Sequence, residues 1–183
     1  MAELLNNTEK LKKARAELEE IVGKDNPIEE SDITRLPYLQ AVVKETLRLH
    51  TSAPFLVPRR AVSDVKLSGF TVPKNAQILV NMWAIGRDPE IWENPNSFQP
   101  ERFLGSEIDV KGRDFELIPF GAGSRICPGL PLAIRMLHLM LGSLIHEFCW
   151  ELEFEGGEKM DMEDRYAFTL QKAGSLRAIP TRT

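Results

Sequence analysis

The sequence predicts a mainly α-helical fold with small β-sheets, an α+β architecture, on three observations. Apolar residues recur at helical spacing over residues 2–23 and 38–50, and a long apolar stretch fills residues 131–150. Two short segments flank Ser68-Gly69, which is typical of a hairpin turn. The 183 residues are 43% hydrophobic, so a globular unit is expected, and the net charge of −4 without a basic block argues against nucleic acid as a partner.

The first helix is expected to span residues 2–23, with Gly23 as its stop. A loop follows, in which Ser31 or Asp32 can cap a short turn that ends near Pro37.

The second helix, residues 38–50, carries Glu45 and Arg48 three positions apart and therefore on one face. On a surface helix this is an ordinary ion pair of little energetic weight, so E-x-x-R alone is a weak signal. A further arginine, Arg102 in a Pro-Glu-Arg-Phe sequence, follows a Pro- and Asn-rich meander at residues 94–99. Buried charges persist only when they are paired and hydrogen-bonded, and a glutamate between two arginines satisfies that condition.

The chain after the second helix is rich in predicted strands. Each is a short apolar or alternating segment bounded by proline or glycine, at residues 55–57, 65–67, 70–72 and 78–80. Asp88-Pro89 is typical of a helix start and predicts one turn through Trp92.

The long helix predicted over residues 131–150 is apolar nearly all round, which predicts that it is buried. His138 and His146 on this helix are interpreted as core or boundary histidines and not as metal ligands. Cys149 is interpreted as an inert thiol. The C-terminal segment is expected to form short strands joined by a turn.

Cys127 is one of only two cysteines and has three glycines close by, while the chain contains neither C-x-x-C nor H-E-x-x-H. Glycines let backbone N–H groups approach the sulfur, and the helix that starts near Pro131 turns its positive end toward it. Both features favour a thiolate. A lone thiolate is a poor zinc site but suits haem iron as a single axial ligand. The alternative is a buried, inert cysteine in a glycine-rich loop.

The order F-x-x-G-x-R-x-C-x-G, which runs from Phe120 to Gly129, resembles the haem loop of the cytochrome P-450 family. The resemblance implies haem b as the cofactor, with Cys127 as its axial thiolate ligand. It implies Arg125 on a haem propionate and Phe120 packed under the porphyrin. The glycines expected to bind the cofactor are Gly121, Gly123 and Gly129.

The same resemblance implies a second propionate contact from Arg59, with Arg60 as the competing choice, because two propionates carry about two negative charges. The family has a Glu-Arg-Arg cluster in this order before the haem loop. By resemblance it is assigned to Glu45, Arg48 and Arg102, as a fold lock behind the haem and not as part of the catalytic chemistry.

The resemblance also implies which residues line the substrate cavity above the haem. They are apolar or small side chains after the second helix and the tip of the C-terminal turn: Ala53, Phe55, Val57, Phe168 and Thr169. The proline that usually follows the histidine at the end of this helix is Thr51 here, a departure that is expected to loosen the turn.

The activity that the resemblance implies is that of a haem-thiolate monooxygenase. Such an enzyme inserts one atom of O2 into a small lipophilic substrate, with electrons from an NADPH-dependent flavoprotein reductase that docks on the proximal face. Segments 69–89 and 118–135 resemble most the plant microsomal group that includes geraniol hydroxylases, so a terpenoid substrate follows by analogy. The resemblance implies the endoplasmic reticulum membrane as the location, although no anchor occurs in this chain.

Residues 1–183 are interpreted as a partial P-450 domain. It comprises the helix after the oxygen-binding helix, the E-x-x-R helix, a strand region, the meander, the haem loop, the long helix and terminal strands. The acid–threonine motif of the oxygen-binding helix does not occur, so no residue is assigned as catalytic, and an apolar face is expected to be open to water. The alternative hypothesis is a truncated, catalytically inactive haem-binding fragment.

Overall fold

The computed structural model describes residues 1–153, 160–167 and 169–182, and it confirms a mainly α fold with small sheets. The α-helices are α1 (Ala2–Asn6), α2 (Thr8–Ile21), α3 (Pro37–Leu49), α4 (Met82–Ile85) and α5 (Leu130–Glu147). Short 3-10 turns occupy Glu30–Arg35, Pro100–Phe103 and Gly123–Arg125. Within the described ranges, no helix is both long enough and apolar enough to cross a membrane.

The strands form antiparallel pairs. These are β1 (Arg59–Arg60) with β4 (Gln77–Ile78), β2 (Val65–Leu67) with β3 (Phe70–Val72), β5 (Phe148–Leu152) with β8 (Ala178–Arg182), and β6 (Asp164–Tyr166) with β7 (Leu170–Lys172).

The larger hydrophobic core lies where α1, α2, α3 and α5 meet, and Leu18, Leu39 and Ile145 are fully buried in it. A Cβ atom on Gly142 of α5 would lie 2.6 Å from Ile28 Cδ1 and 3.3 Å from Leu39 Cδ2. A side chain at position 142 would therefore force the Ile28 side chain, and to a smaller extent that of Leu39, to move. A second, smaller core consists of Ala41, Trp92, Phe103, Val110 and Leu117.

The first predicted helix is divided in two at Asn7, whose backbone leaves the helical region (φ −126°, ψ 70°). The Asn7 side chain donates to the Glu3 carbonyl at 2.8 Å, a local bond that competes with continuous helix. The end of the helix was predicted correctly, since Gly23 has a left-handed φ of 86° directly after α2.

The turn before Pro37 is capped differently from the prediction. Glu29 is the N-cap, and the Asp32 carboxylate accepts from the Glu29 N–H at 2.8 Å in a reciprocal capping box. Neither Ser31 nor Asp32 is the cap itself, because the chain enters the turn two to three residues earlier.

The prediction of a strand at residues 55–57 is wrong. Leu56 has a φ of 50° and its N–H donates to the Ala53 carbonyl at 3.1 Å, so this segment is a turn. Strand pairing begins only at Arg59 and includes Gln77–Ile78 in place of residues 78–80.

The hairpin at Ser68-Gly69 is confirmed, with Val65 opposite Val72 and positive φ at both turn residues (49° and 85°), as a type I′ turn requires. The predicted turn at Asp88 is also present. The Trp92 N–H donates to the Asp88 carbonyl at 2.8 Å, and the Glu90 N–H donates to its side chain at 2.9 Å.

Helix α5 begins one residue before the predicted range of 131–150. It ends at Glu147, because residues 148–152 form strand β5. The prediction that it is buried all round is wrong for one face. His138, Gly142 and Ile145 pack inward, whereas Leu132 is 66% exposed and Met140 is 57% exposed. An all-apolar helix carries no directional signal, so its sequence could not indicate which side lacks a neighbour.

Replacing Thr51 by proline is expected to stabilise the chain by about 0.4–1 kcal/mol. Thr51 is 1% exposed, and neither its hydroxyl nor its N–H has a partner among the described residues. His50 before it lies outside the α region (φ −120°, ψ 59°), which a following proline tolerates. Urea denaturation would measure the change, with Thr51→Ala as the control for loss of the hydroxyl alone; a proline variant less stable than Thr51→Ala would contradict the expectation.

Stability is expected to fall as the pH drops below about 6.5 because of His138. Burial lowers the pKa of His138 from its ordinary 6.5; the hydrogen bond to the Ile134 carbonyl opposes this shift, and the charge of Lys44 adds a smaller lowering. His138 Nδ1 bonds to the Ile134 carbonyl at 2.6 Å, and its buried Nε2 has no hydrogen-bond partner among the residues that the structure describes. As the pH falls, His138 therefore binds a proton in the unfolded chain at a higher pH than in the folded chain, which favours unfolding. The free energy of unfolding is unaffected by His138 above pH 6.5 and decreases below it. Thermal unfolding of wild type and His138→Asn at pH 7.5 and 5.5 should show a smaller pH effect in the variant; equal effects would exclude His138 as the source.

Candidate functional site

Residues 118–129 form a loop shaped by glycines and backbone hydrogen bonds, named the haem-ligand loop after the role that the sequence resemblance implies. Gly121 and Gly123 adopt left-handed φ values of 75° and 62°, which a side chain would strain. The Cys127 N–H donates to the Phe120 carbonyl at 2.8 Å. This bond joins the residues on either side of the 3-10 turn at Gly123–Arg125, so the position of Cys127 depends on that of Phe120.

Cys127 is exposed at the start of α5. A Cβ atom on Gly129 would lie 3.7 Å from its sulfur, so the backbone approaches Sγ closely at this position. The Leu130 N–H donates to the Cys127 carbonyl at 3.2 Å, and α5 begins at Leu130. The positive end of the helix dipole therefore lies beside the sulfur, an arrangement suited to an anionic ligand.

Arg125 and Arg59 are both exposed, and no residue in the described ranges forms a hydrogen bond or ion pair with either guanidinium group. Arg125 ends the 3-10 turn of the haem-ligand loop. Arg59 lies in β1 opposite Ile78, and its neighbour Arg60 is equally exposed. Both predicted propionate ligands thus have their donors available for an anion.

Phe120 connects the haem-ligand loop to the smaller core. Its ring is half-buried and packs against the cluster that contains Trp92, Phe103 and Leu117. The haem-ligand loop therefore packs on the smaller core through Phe120, while Cys127 near its other end is exposed.

The structure brings Glu45, Arg48 and Arg102 into one charge cluster, although residue 102 is far from the other two in sequence. Arg48 binds the fully buried Glu45 carboxylate in a bidentate manner, Nη2 to Oε1 and Nε to Oε2, both at 2.8 Å. Arg102 Nε lies 3.1 Å from Glu45 Oε2. The Gln99 N–H donates to Oε1 at 2.7 Å, so the carboxylate is well satisfied.

The remaining arginine donors hold the meander. Arg48 donates to the carbonyls of Gly86, Pro95 (2.8 Å) and Ser97 (3.3 Å), and Arg102 donates to the carbonyl of Glu93 (2.9 Å). Both guanidinium groups lie within 6 Å of the Trp92 ring, at 5.4 and 5.9 Å. The cluster thereby joins α3 to the segment that carries the smaller core.

The predicted substrate-lining residues are mostly at the surface. Ala53 is half-buried, Phe55 is 39% exposed and Val57 is 83% exposed. Thr169 is exposed, and the next residue, Leu170, donates its N–H to the Ser52 carbonyl at 2.9 Å. The C-terminal turn and the segment after α3 are therefore adjacent; Phe168 lies outside the described residues.

Sequence reasoning missed Glu17, whose carboxylate accepts from the N–H groups of Tyr38 at 2.7 Å and Leu39 at 2.8 Å. It caps α3 from a different helix, so no local capping motif marks it. The Tyr38 hydroxyl donates to Glu101 at 3.1 Å, and burial together with this carboxylate raises the pKa of Tyr38.

A second structural feature that the sequence did not reveal is the support loop, defined as residues 108–117, which contacts the haem-ligand loop. Lys44 of α3 donates to the Ile108 carbonyl at 2.7 Å, and burial lowers the pKa of Lys44. Within the loop, the Asp109 N–H donates to the Asp114 carboxylate at 2.9 Å. A lysine bound to a carbonyl 64 residues away has no signature in the sequence.

Comparison with known proteins decides the family. A model of the cytochrome P-450 family matches residues 1–176. Drimenol monooxygenase of Persicaria hydropiper is 61% identical over 99% of this chain, which covers 36% of that protein. Geraniol 8-hydroxylase of Swertia mussotii is 57% identical over 99% of the chain, which covers 37% of that protein.

The chain belongs to the cytochrome P-450 family. Among solved structures, a zebra fish cytochrome P-450 structure with progesterone superposes with a TM-score of 0.85 at 36% identity. That match covers 98% of this chain and 40% of the other. The chain thus has the P-450 fold over its own length and spans little more than a third of the curated relatives above.

Replacing Glu45 by glutamine is expected to reduce the free energy of unfolding by about 3–5 kcal/mol, because two arginines would share a buried site without their counter-charge. Glu101→Gln is the matched control. It removes a carboxylate whose 2.7 Å ion pair with Lys13 is partly exposed, and it should cost about 1 kcal/mol or less. Denaturant unfolding of both variants measures the difference, and equal losses would show that the buried charge has no special weight.

Proposed function

We propose that this chain forms the haem-ligand portion of a P-450 monooxygenase that inserts one atom of O2 into a small lipophilic substrate. The observation that carries the proposal is the exposed Cys127 sulfur at the start of α5, inside a glycine-shaped loop of a chain that belongs to this family. A sulfur at the end of such a loop can reach a metal on its open side.

The residues present fit haem b. Cys127 would be the axial ligand, with Phe120 packed under the porphyrin and the glycines at 121, 123 and 129 allowing close approach. Arg125 and Arg59 would bind the two propionates, which is supported by their exposed guanidinium groups without protein partners. When bound, thiolate-ligated haem supplies the iron chemistry that cleaves O2.

The charge cluster of Glu45, Arg48 and Arg102 has a structural role in this proposal. It fixes α3 against the meander and so stabilises the smaller core on which Phe120 packs. Its arginines are occupied by Glu45 and by backbone carbonyls, so the proposed propionate ligands are Arg125 and Arg59, with Arg60 as the alternative to Arg59.

A terpenoid is the proposed substrate. Two curated relatives of this chain are named geraniol 8-hydroxylase and a third is named drimenol monooxygenase. The apolar side chains of Ala53, Phe55 and Val57, together with the turn at Phe168-Thr169, would line the cavity. Electrons would come from an NADPH-dependent flavoprotein reductase on the proximal face, at the endoplasmic reticulum membrane, as in the family.

A second candidate is a chain that binds haem without turnover. It is favoured by the exposed apolar face of α5, where Leu132, Met136, Leu137 and Met140 contact water. At about 25 cal/mol per Å², that exposure forfeits hydrophobic stabilisation of this part of the fold. Product formation from geraniol with reductase and NADPH distinguishes the candidates, because only the monooxygenase oxidises the alcohol's carbon skeleton.

The haem ligand is tested by the reduced carbon-monoxide difference spectrum of the chain reconstituted with haem. Wild type is expected to show the red-shifted Soret band of thiolate ligation, and Cys127→Ser is expected to lose it. Cys149→Ser is the matched control and should keep the band, since Cys149 lies in β5 and accepts from Arg15 Nη1 at 3.1 Å. A thiolate-type band in Cys127→Ser would refute the ligand assignment.

A further inference from the structure

Gly112 lies at the point where the support loop touches the haem-ligand loop. Its φ is +81°, and a Cβ atom there would lie 3.0 Å from the Gly121 carbonyl oxygen, 3.0 Å from Ile126 Cδ1 and 3.2 Å from Ala122 Cα. Two of these three atoms belong to the backbone of the haem-ligand loop. Any side chain at position 112 would therefore press on the backbone of the haem-ligand loop at Gly121 and Ala122.

The support loop is held firmly on its other side. Lys44 binds the Ile108 carbonyl, Val110 is buried in the smaller core, and the Leu117 N–H donates to the Asp114 carbonyl at 2.8 Å. The Lys111 N–H also donates to the Asp109 carboxylate at 2.6 Å. Lys44 and Val110 anchor the start of the support loop, and the segment Gly123–Cys127 is largely exposed. We therefore expect added volume at residue 112 to displace the haem-ligand loop.

We propose that Gly112 is a positioning residue that sets the location of the Cys127 sulfur. It acts through Gly121 and Ile126, because Ile126 precedes Cys127 and the Cys127 N–H is bound to Phe120, next to Gly121. A Cβ at these distances requires a shift of a few tenths of an ångström. The part of this inference that concerns haem ligation rests on the proposed function; the part that concerns the loop does not.

The test compares Gly112→Ala with Gly105→Ala. Gly105 also has a left-handed φ, 71°, but a Cβ there has no atom within 4 Å. Both variants carry the same kind of backbone strain, and only Gly112→Ala adds contact with the haem-ligand loop. A double variant, Gly112→Ala with Ile126→Val, removes the Cδ1 contact and should restore part of the wild-type behaviour.

The first readout is hydrogen exchange of the Cys127 amide in the haem-free chain, where its bond to Phe120 protects it. Exchange is expected to be about tenfold faster in Gly112→Ala and nearly unchanged in Gly105→Ala. The second readout is the share of bound haem with the thiolate-type band at equal haem content, which should fall by about half in Gly112→Ala only.

Equal amide exchange in the two alanine variants would overturn the positioning role. A wild-type chain that binds haem without the thiolate band would overturn the proposed function, and the exchange comparison would still decide the role of Gly112. The pair Gly112→Asn and Gly105→Asn repeats the comparison with a residue that tolerates left-handed φ, so the contact is tested even where an alanine variant does not fold.

Discussion

The Glu45 carboxylate is shared by Arg48 and Arg102, and the arrangement of much of the chain depends on that sharing. A lone buried carboxylate or guanidinium would be strongly destabilising, so the three groups are stable only together. Their mutual position requires α3 and the meander to be in place at the same time. The spare Arg48 donors then bind the carbonyls of Pro95 and Ser97 in the meander, and Trp92, shortly before the meander, belongs to the smaller core.

The haem-ligand loop is the end point of this series of contacts. Helix α3 contributes Ala41 to the smaller core, and its Lys44 binds the support loop. The smaller core and the support loop each contact residues 118–129. Phe120 packs on the core, Gly112 meets Gly121, and the Cys127 N–H returns to Phe120. The position of the exposed Cys127 sulfur therefore depends on the smaller core and the support loop, both of which lie outside the haem-ligand loop.

Helix α5 has one exposed apolar face. Leu132, Met136, Leu137 and Met140 on that helix are partly or largely open to water, while the opposite face packs so closely at Gly142 that a Cβ atom there would displace the Ile28 side chain. The chain spans 36% of the length of drimenol monooxygenase, whose sequence is 61% identical. The buried face of α5 carries His138, Gly142, Ile145 and His146, whereas the exposed face carries leucine and methionine.

Local signals in the sequence were sufficient for the mainly α fold, the Ser68-Gly69 hairpin, the end of α2 at Gly23 and the family of the Cys127 loop. Each depends on periodicity, turn chemistry or spacing within about ten residues, which fixes local backbone conformation. The sequence was wrong about residues 55–57, since an apolar triplet does not reveal a left-handed Leu56. Only the tertiary structure decided that Glu17 caps α3, that Lys44 holds the support loop, that Gly112 meets the haem-ligand loop and which face of α5 is exposed. These contacts join residues distant in sequence, and their partners are defined only once the chain has folded.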